Sequence, residues 1–282
     1  MTDPTADRLV LPPAGSEMAA WLEVAMAACD EADAIALRHF RTNLHIEEKP
    51  DRSFVTQADK AVEAAIRARL TAAFPQHGLV GEEYGTQEGA HPVRWIIDPI
   101  DGTHNYMRGV PLFGTLLGLE AEGELVLGVL SAPAMARRWF AWKDGGAWET
   151  TLSGGTWDRD GVVRNRVSGI SRLENSQILY SSVPQLIDSG KVPGFTRLIR
   201  TVWRDRGFGD FWGYSLVAGG MAEGMVEIGC KSWDLAAPAV LVREAGGRFS
   251  DLDGALDIYG EGFVIASNGV LHDRFLEELR RP

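Results

Sequence analysis

Six residues, Asp98-Pro99-Ile100-Asp101-Gly102-Thr103, restrict this chain more than any other stretch. The apolar run Trp95-Ile96-Ile97, with Arg94 before it, reads as a short buried strand leading into them. Pro99 has no N–H to donate, so it ends the regular ladder. Two carboxylates then sit three residues apart, with the carbonyl of Ile100 between them. Hard divalent cations such as Mg²⁺ take oxygen ligands of this kind: carboxylates, a backbone carbonyl and waters. A helical turn starting at Gly102-Thr103 adds free N–H groups, an anion site beside the cation. A metal cluster next to a phosphate cradle suits phosphoryl transfer to water. The plainer reading is a turn or helix cap, for which Asp-Pro and Asp-Gly are ordinary dipeptides.

At 282 residues the chain can bury a large core, as one domain or two layered ones. Charged residues at 24% and hydrophobic ones at 45% mark an ordinary globular protein rather than a disordered one. With 28 basic and 39 acidic side chains, the net charge is −11. That balance argues against a general nucleic-acid or anionic-membrane binder. It leaves room for an anionic substrate, because bound metal ions invert the local charge. Cys29 and Cys230 stand far apart and form no ligand pattern, which fits a reducing cytoplasm. No apolar run is long enough to span a bilayer, and no basic start precedes an apolar block as in a signal peptide. A cytoplasmic protein is expected.

Residues 1–15 carry Pro4, Pro12, Pro13 and Gly15 and read as a mobile arm. Ser16 is an N-cap candidate for a long helix through about Phe40. His39 and His45 at its end read as surface or cap residues. Lys49 to Asp59 reads as extended or loop, followed by a helix with Val62, Ile66 and Leu70 that stops before Pro75. Asp59 is either a helix N-terminal charge or a carboxylate aimed at a site. Lys49 reads as solvated. Gly81-Glu82-Glu83 follows the short strand Leu79-Val80, and at most one of the adjacent glutamates is expected to face a site. Strands are expected at Gly114 to Glu120, Glu124 to Ser131 and Arg137 to Trp142, an antiparallel meander. The Gly-, Ser- and Thr-rich stretch Thr151 to Gly161 is the expected boundary between two halves, 1–155 and 156–282. Beyond it strands (around Ile178, Met225, Arg248 and Phe263) alternate with helices (Phe195 to Thr201, Asp210 to Met221, Trp233 to Ala245, Leu271 to Leu279). The first half thus reads as α+β and the second as α/β. Asp234, at a helix start, is in isolation a plain N-terminal aspartate.

Taken together, Gly81-Glu82-Glu83, Asp98-Pro99-Ile100-Asp101-Gly102-Thr103-His104-Asn105 and Trp233-Asp234-Leu235-Ala236-Ala237 resemble the three signature motifs of the inositol monophosphatase superfamily, in order and at familiar spacing. The resemblance runs from the first helix to Ala245-Gly246-Gly247. It implies a layered αβαβα sandwich and a Mg²⁺-dependent phosphomonoesterase, with two or three ions and often lithium sensitivity. Carried over by motif, Glu82, Asp98, Asp101 and Asp234 hold metal through side chains and Ile100 through its carbonyl. Thr103 works with Glu82 in orienting the attacking water. Asp59 matches a Thr-x-x-Asp position that reaches a further metal or its water. Gly102 and Thr103 hold phosphate through backbone N–H groups. A homodimer is implied by resemblance only. Haloacid-dehalogenase phosphatases also carry closely spaced aspartates, but as Asp-x-Asp near an N-terminus. Here two residues, Pro99 and Ile100, separate the pair. A non-catalytic interaction protein keeping this fold is the alternative of another class, and a Mg²⁺-dependent phosphatase assay separates the two.

The substrate is a small phosphate ester. Arg206-Gly207-Phe208-Gly209-Asp210-Phe211-Trp212-Gly213-Tyr214 bears on which one. Its Gly-Asp-x-x-x-Tyr pattern looks like the histidinol-phosphatase branch, where typical inositol phosphatases have Gly-Ser/Thr-Ala-Ala. Lys49-Pro50-Asp51 with Val55-Thr56-Gln57-Ala58-Asp59 is similar to that branch too. Against this, Glu227-Ile228-Gly229-Cys230-Lys231-Ser232-Trp233-Asp234 resembles the inositol-type loop, whose glutamate contacts sugar hydroxyls. Substrate contacts are therefore expected from Gly102, Thr103, Gly209, Asp210, Glu227 and Asp234. Histidinol phosphate is the favoured substrate and inositol 1-phosphate the alternative. The competing role for Asp210 is an N-cap on its helix.

Overall fold

Side chains on a strand alternate between its two faces, and in the meander both faces are apolar. Trp95 and Ile97 point one way and Ile96 the other; Leu117 and Leu119 oppose Leu116, and Phe140 and Trp142 oppose Trp139 and Ala141. A sheet buried on both faces needs a helix layer on each. The computed structural model describes residues 8–49, 54–260 and 262–281. Its helices are α1 (Glu17–His39), α2 (Gln57–Ala73), α3 (Thr103–Met107), α4 (Val183–Asp188), α5 (Val192–Thr201), α6 (Asp210–Ala218), α7 (Ser232–Glu244) and α8 (His272–Arg280). The strands are β1 (Ile46–Glu48), β2 (Phe54–Thr56), β3 (Gly78–Gly81), β4 (Gly85–Gln87), β5 (Val93–Asp101), β6 (Gly114–Ala121), β7 (Glu124–Ala132), β8 (Arg137–Trp142), β9 (Gly146–Ser153), β10 (Thr156–Trp157), β11 (Val163–Asn165), β12 (Gln177–Tyr180), β13 (Arg204–Arg206), β14 (Gly224–Ile228), β15 (Arg248–Asp251) and β16 (Phe263–Ser267).

The larger sheet has the order β10-β9-β8-β7-β6-β5-β3-β4, with β11 also paired to β9. The smaller sheet runs β13-β12-β14-β16-β15. One face of the larger sheet packs on α1 and α2 through Leu22, Ala25, Cys29, Val62, Ile66 and Leu70. Its other face meets α6 and α7, which also cover one face of the smaller sheet at Met225, Val264 and Ala266. The far face of the smaller sheet packs on α5 and α8 through Leu198, Phe275 and Leu279. The order of layers is αβαβα, as the resemblance implied.

The middle layer is pressed tightly onto the larger sheet. A Cβ at Gly118 would lie 2.6 Å from Ala236 Cβ, and one at Gly128 2.5 Å from the Ala237 carbonyl oxygen. Small residues on both sides let α7 approach, and α7 carries Asp234 in its first turn. Helix starts are locally specified elsewhere too. Ser16 Oγ accepts from Ala19 N–H at 3.2 Å to begin α1. Thr56 and Asp59 form a capping box that begins α2.

One expectation needs correction, and two regions hold structure that was not foreseen. Within the expected boundary Thr151 to Gly161, β9 runs to Ser153, turns at Gly154-Gly155 (φ 62° and 86°) and returns as β10. Its Gly- and Ser-rich composition is that of a hairpin tip, and Trp157 in β10 stacks edge-on to Phe140 at 5.5 Å. Short elements also appear that no periodicity announced, among them α4, β13 and the antiparallel pair β1–β2. Pro99 interrupts the β5 ladder rather than ending it. Asp98 pairs with Leu116, the register shifts, and Asp101 pairs with Gly114. Of the expected arm, residues 8–15 carry no helix or strand, and residues 1–7 lie outside the described residues, as do Pro50 and Asp51.

Candidate active site

The bulge at Pro99-Ile100 turns the end of β5 toward the middle layer, with Thr115 Oγ1 donating to the Pro99 carbonyl at 2.9 Å. Gly102 follows at φ 80°, a conformation glycine adopts without strain, and α3 starts at Thr103. A Cβ on Gly102 would come within 2.9 Å of the Leu112 carbonyl oxygen, so the turn is also closed to side chains.

Asp98, Asp101 and Asp234 each bring one carboxylate oxygen within 4.8 Å of the others. Asp98 is buried, and its Oδ1 has no hydrogen-bond partner. Asp101 Oδ2 accepts from the Phe211 N–H at 2.7 Å, the first turn of α6. Asp234 Oδ2 accepts from the Lys231 N–H at 2.7 Å, so one of its oxygens caps α7. Desolvation raises all three carboxyls, Asp234 to about 7 and the other two well above the ordinary carboxylate range. Neighbouring carboxylates add to this: Glu82 for Asp98, Asp210 for Asp101, Glu227 for Asp234. Three mutually repelling carboxylates and an orphaned buried oxygen are the donor set a hard divalent cation satisfies.

Glu82 and Glu83 lie beside this trio and meet Lys49. Its Nζ donates to Glu82 Oε1 and Glu83 Oε1, each at 2.7 Å. The lysine read as solvated is thus only 20% exposed and doubly paired. Burial works against its charge, but the two carboxylates outweigh it and its pKa is raised. One ammonium thus gathers both glutamates, and of the two it is Glu82 whose charge acts on Asp98. Asp59 is fully buried and serves two ends. Its Oδ2 accepts from Thr56 N–H at 2.8 Å and Thr56 Oγ1 at 2.5 Å, while Oδ1 lies 3.3 Å from Thr103 Oγ1. Burial pushes it up to about 6 against the Thr56 hydrogen bonds. Thr103 Oγ1 is also 2.9 Å from the Ile100 carbonyl. Its hydroxyl therefore faces Asp59 and Ile100, while Glu82 is held by Lys49.

A cavity of about 430 Å³ opens beside the trio, lined by Asp101 and Asp234 and, further out, by Asp210, Glu227, His104 and Gln185. Asp210 is not an N-cap: Gly209 holds that position, with no side-chain cap bond. Asp210 sits at φ 56°, and its Oδ2 would be 3.6 Å from a Cβ on Gly102. Gly209 stands behind this wall, where a Cβ would lie 2.7 Å from the Cα of Ser181. Glu227 is buried and accepts from the Tyr214 hydroxyl at 2.6 Å. Burial and Asp210 push Glu227 up to about 7, against the bond from Tyr214. Burial also raises Asp210, and His104 pulls it back.

Of the residues lining this cavity, Ser181, Ser182 and Gln185 were not singled out from sequence, and Tyr214 and His104 stood only inside longer motifs. Tyr214 was in view as the last member of Gly-Asp-x-x-x-Tyr. That spacing of four puts it one turn from Asp210 on α6. Ser181 and Gln185 come from the unforeseen α4 region and left no local signal.

Comparison with known proteins shows what the whole chain is similar to. Residues 17–281 match the inositol monophosphatase family. A histidinol-phosphatase of Streptomyces coelicolor is 42% identical over 265 residues, covering 92% of this chain and 97% of its own. An inositol-1-monophosphatase of Mesorhizobium japonicum is 35% identical, covering 85% and 88%. The solved structure of the extragenic suppressor protein suhB from Bartonella henselae superposes with a TM-score of 0.83 at 30% identity, covering 93% of this chain and 99% of its own.

Proposed function

The chain belongs to the inositol monophosphatase family, and from that membership we propose that it is a Mg²⁺-dependent phosphomonoesterase whose substrate is histidinol phosphate. Glu82, Asp98, Asp101 and Asp234 would hold the cations, two or three of them, with the Ile100 carbonyl. When bound, they lower the pKa of a water and offset charge on the phosphoryl group. The remaining work belongs to the chain. Thr103 Oγ1, its one proton directed to the Ile100 carbonyl or to Asp59, keeps lone pairs to accept from and orient the attacking water. Asp59, buried behind Thr103 with Oδ1 3.3 Å from its hydroxyl, is the carboxylate placed to receive a proton through it. The N–H groups of Gly102 and Thr103 face the phosphate, and no phosphoenzyme is required. The first half, 1–155, supplies Asp59, Glu82, Asp98 and Asp101. The second, 156–282, supplies Asp210, Glu227 and Asp234. A homodimer in a reducing cytoplasm is proposed alongside, the first on family resemblance and the second on the two free thiols.

The observation that carries the substrate is the position of Asp210. In histidinol phosphate the ammonium is two carbons from the ester oxygen. A carboxylate that receives it must stand within a few ångströms of the phosphate turn, as Asp210 does against Gly102. Glu227 across the cavity adds a second acceptor, and charge-assisted hydrogen bonds are roughly twice as strong as neutral ones. Glu227 also favours the inositol reading, since it can accept from ring hydroxyls. The deciding experiment compares kcat/KM over a panel of phosphomonoesters with Mg²⁺. Histidinol phosphate is expected to lead, and an inositol phosphate in front would replace this reading. Undiminished turnover in excess chelator would sink the metal assignment.

A further inference from the structure

Glu63 belongs to none of the three motifs, yet it holds the backbone that presents Glu82. It is fully buried on α2. Oε2 accepts from the Glu83 N–H at 2.7 Å, and Oε1 from the Tyr84 N–H at 3.2 Å and from Arg67 Nε at 2.7 Å. Arg67 in turn donates to the Gly85 carbonyl, closing the bracket around the turn. The Glu82 N–H itself donates to the Ile97 carbonyl of β5 at 3.3 Å. Three successive amides are therefore fixed, the first by the strand that carries Asp98 and the next two by one carboxylate. Gly81 completes the fit, because a Cβ there would sit 2.0 Å from Glu63 Oε1.

We propose that Glu63 is a positioning residue for cation binding, fixing the turn that aims Glu82 at Asp98. An ion pair with Arg67 one turn along α2 would satisfy a buried glutamate without touching the turn. Instead one oxygen is given wholly to the turn and the other is shared with it. A carboxylate is required because three N–H donors converge on it; a glutamine would set its own NH₂ against one of them. Lys49 holds the side chain of Glu82 from the opposite end. Backbone bracket and side-chain tether together leave Glu82 little freedom. The inference rests on the reading of Glu82 as a ligand.

The test titrates Mn²⁺ calorimetrically into the metal-free full-length protein. Glu63→Gln is expected to raise the Mn²⁺ Kd about 10-fold, the scale of losing a partner that orients a ligand. Its kcat at saturating metal should change little. Gly81→Ala, which displaces the same carboxylate, is expected to act in the same direction and stands in if Glu63→Gln fails to fold. Ser250→Ala, remote and buried, controls for a general loss of stability and should leave the Kd unmoved. Glu82→Gln tests the premise separately: an unchanged Kd there overturns Glu82 as a ligand and the inference with it. Weakening in Glu82→Gln with wild-type Kd in folded Glu63→Gln overturns the bracket alone.

Discussion

Asp59 and Asp234 each use one carboxylate oxygen as a helix cap and leave the other for the site. Capping a helix and facing a site, rival readings of an aspartate at a helix start, are both satisfied by one side chain. Thr103 is the sharpest residue to test. On the proposed role of the hydroxyl, acting on the nucleophile, Thr103→Ala should lower kcat by about 10²-fold while KM moves little. A rise in KM alone would make Thr103 a phosphate contact. Asp210 calls for asparagine as its replacement, since φ 56° suits Asp, Asn and Gly and strains other side chains. Asp210→Asn should raise KM for histidinol phosphate by about 10-fold or more, the loss of one charge-assisted bond, and barely change an inositol phosphate. Equal losses on both would favour the inositol reading. These residues were legible because each stands in a local pattern: a strand-turn, a Thr-x-x-Asp box, a helix start. Lys49 and Glu63 were not. Lys49 meets glutamates 33 and 34 positions away, and Glu63 meets amides 20 and 21 positions away, so only the folded chain reveals their work.

At the scale of elements, long segments were readable and short ones were not. The meander strands and α1 each repeat their pattern enough times to declare a period. By contrast β13 is Arg204-Asp205-Arg206, an edge strand with no apolar residue, and α4 has six residues with a proline in its first turn. Besides its apolar contacts, α8 is tied to the sheet by a buried polar group. His272, fully buried, lies 2.8 Å from Ser250 Oγ and 2.7 Å from Ser267 Oγ, joining the start of α8 to β15 and β16. Burial pushes its pKa down to about 4 from an ordinary 6.5. The unfolded chain therefore takes up this proton at higher pH than the native one. The stability His272 contributes is present above pH 6.5 and is lost as pH falls toward 4, by about 3 kcal/mol at most. His272→Gln should be less stable than wild type at neutral pH, with the gap narrowing on acidification. A gap constant with pH would show that the imidazole does not titrate on unfolding.

At the scale of the whole molecule the site lies where the two sheets face each other across α6 and α7. The carboxyls gathered there have the opposite pH signature to His272. Asp59 near 6 and Glu227 and Asp234 near 7 keep protons that the unfolded chain releases at ordinary carboxylate values. Without cations, their contribution to stability falls as pH rises through that interval. Cations require the deprotonated forms, so Mg²⁺ should raise Tm more at about pH 8 than at about pH 5.5. A gain of about 2.7 kcal/mol is expected at a hundredfold excess over Kd. An equal Tm gain at both pH values would show that the cluster does not bind the ion. The two sheets also divide the labour. Asp98 and Asp101, with the turn bearing Glu82, belong to the larger sheet; Glu227 belongs to the smaller one, and Asp210 to the helix layer between them. On the proposed reading, a duplicated copy of such a gene changes its diet by rewriting the smaller sheet and α6 while keeping the hydrolytic turn and Asp234 on α7. At position 210 the left-handed backbone leaves that drift a narrow alphabet.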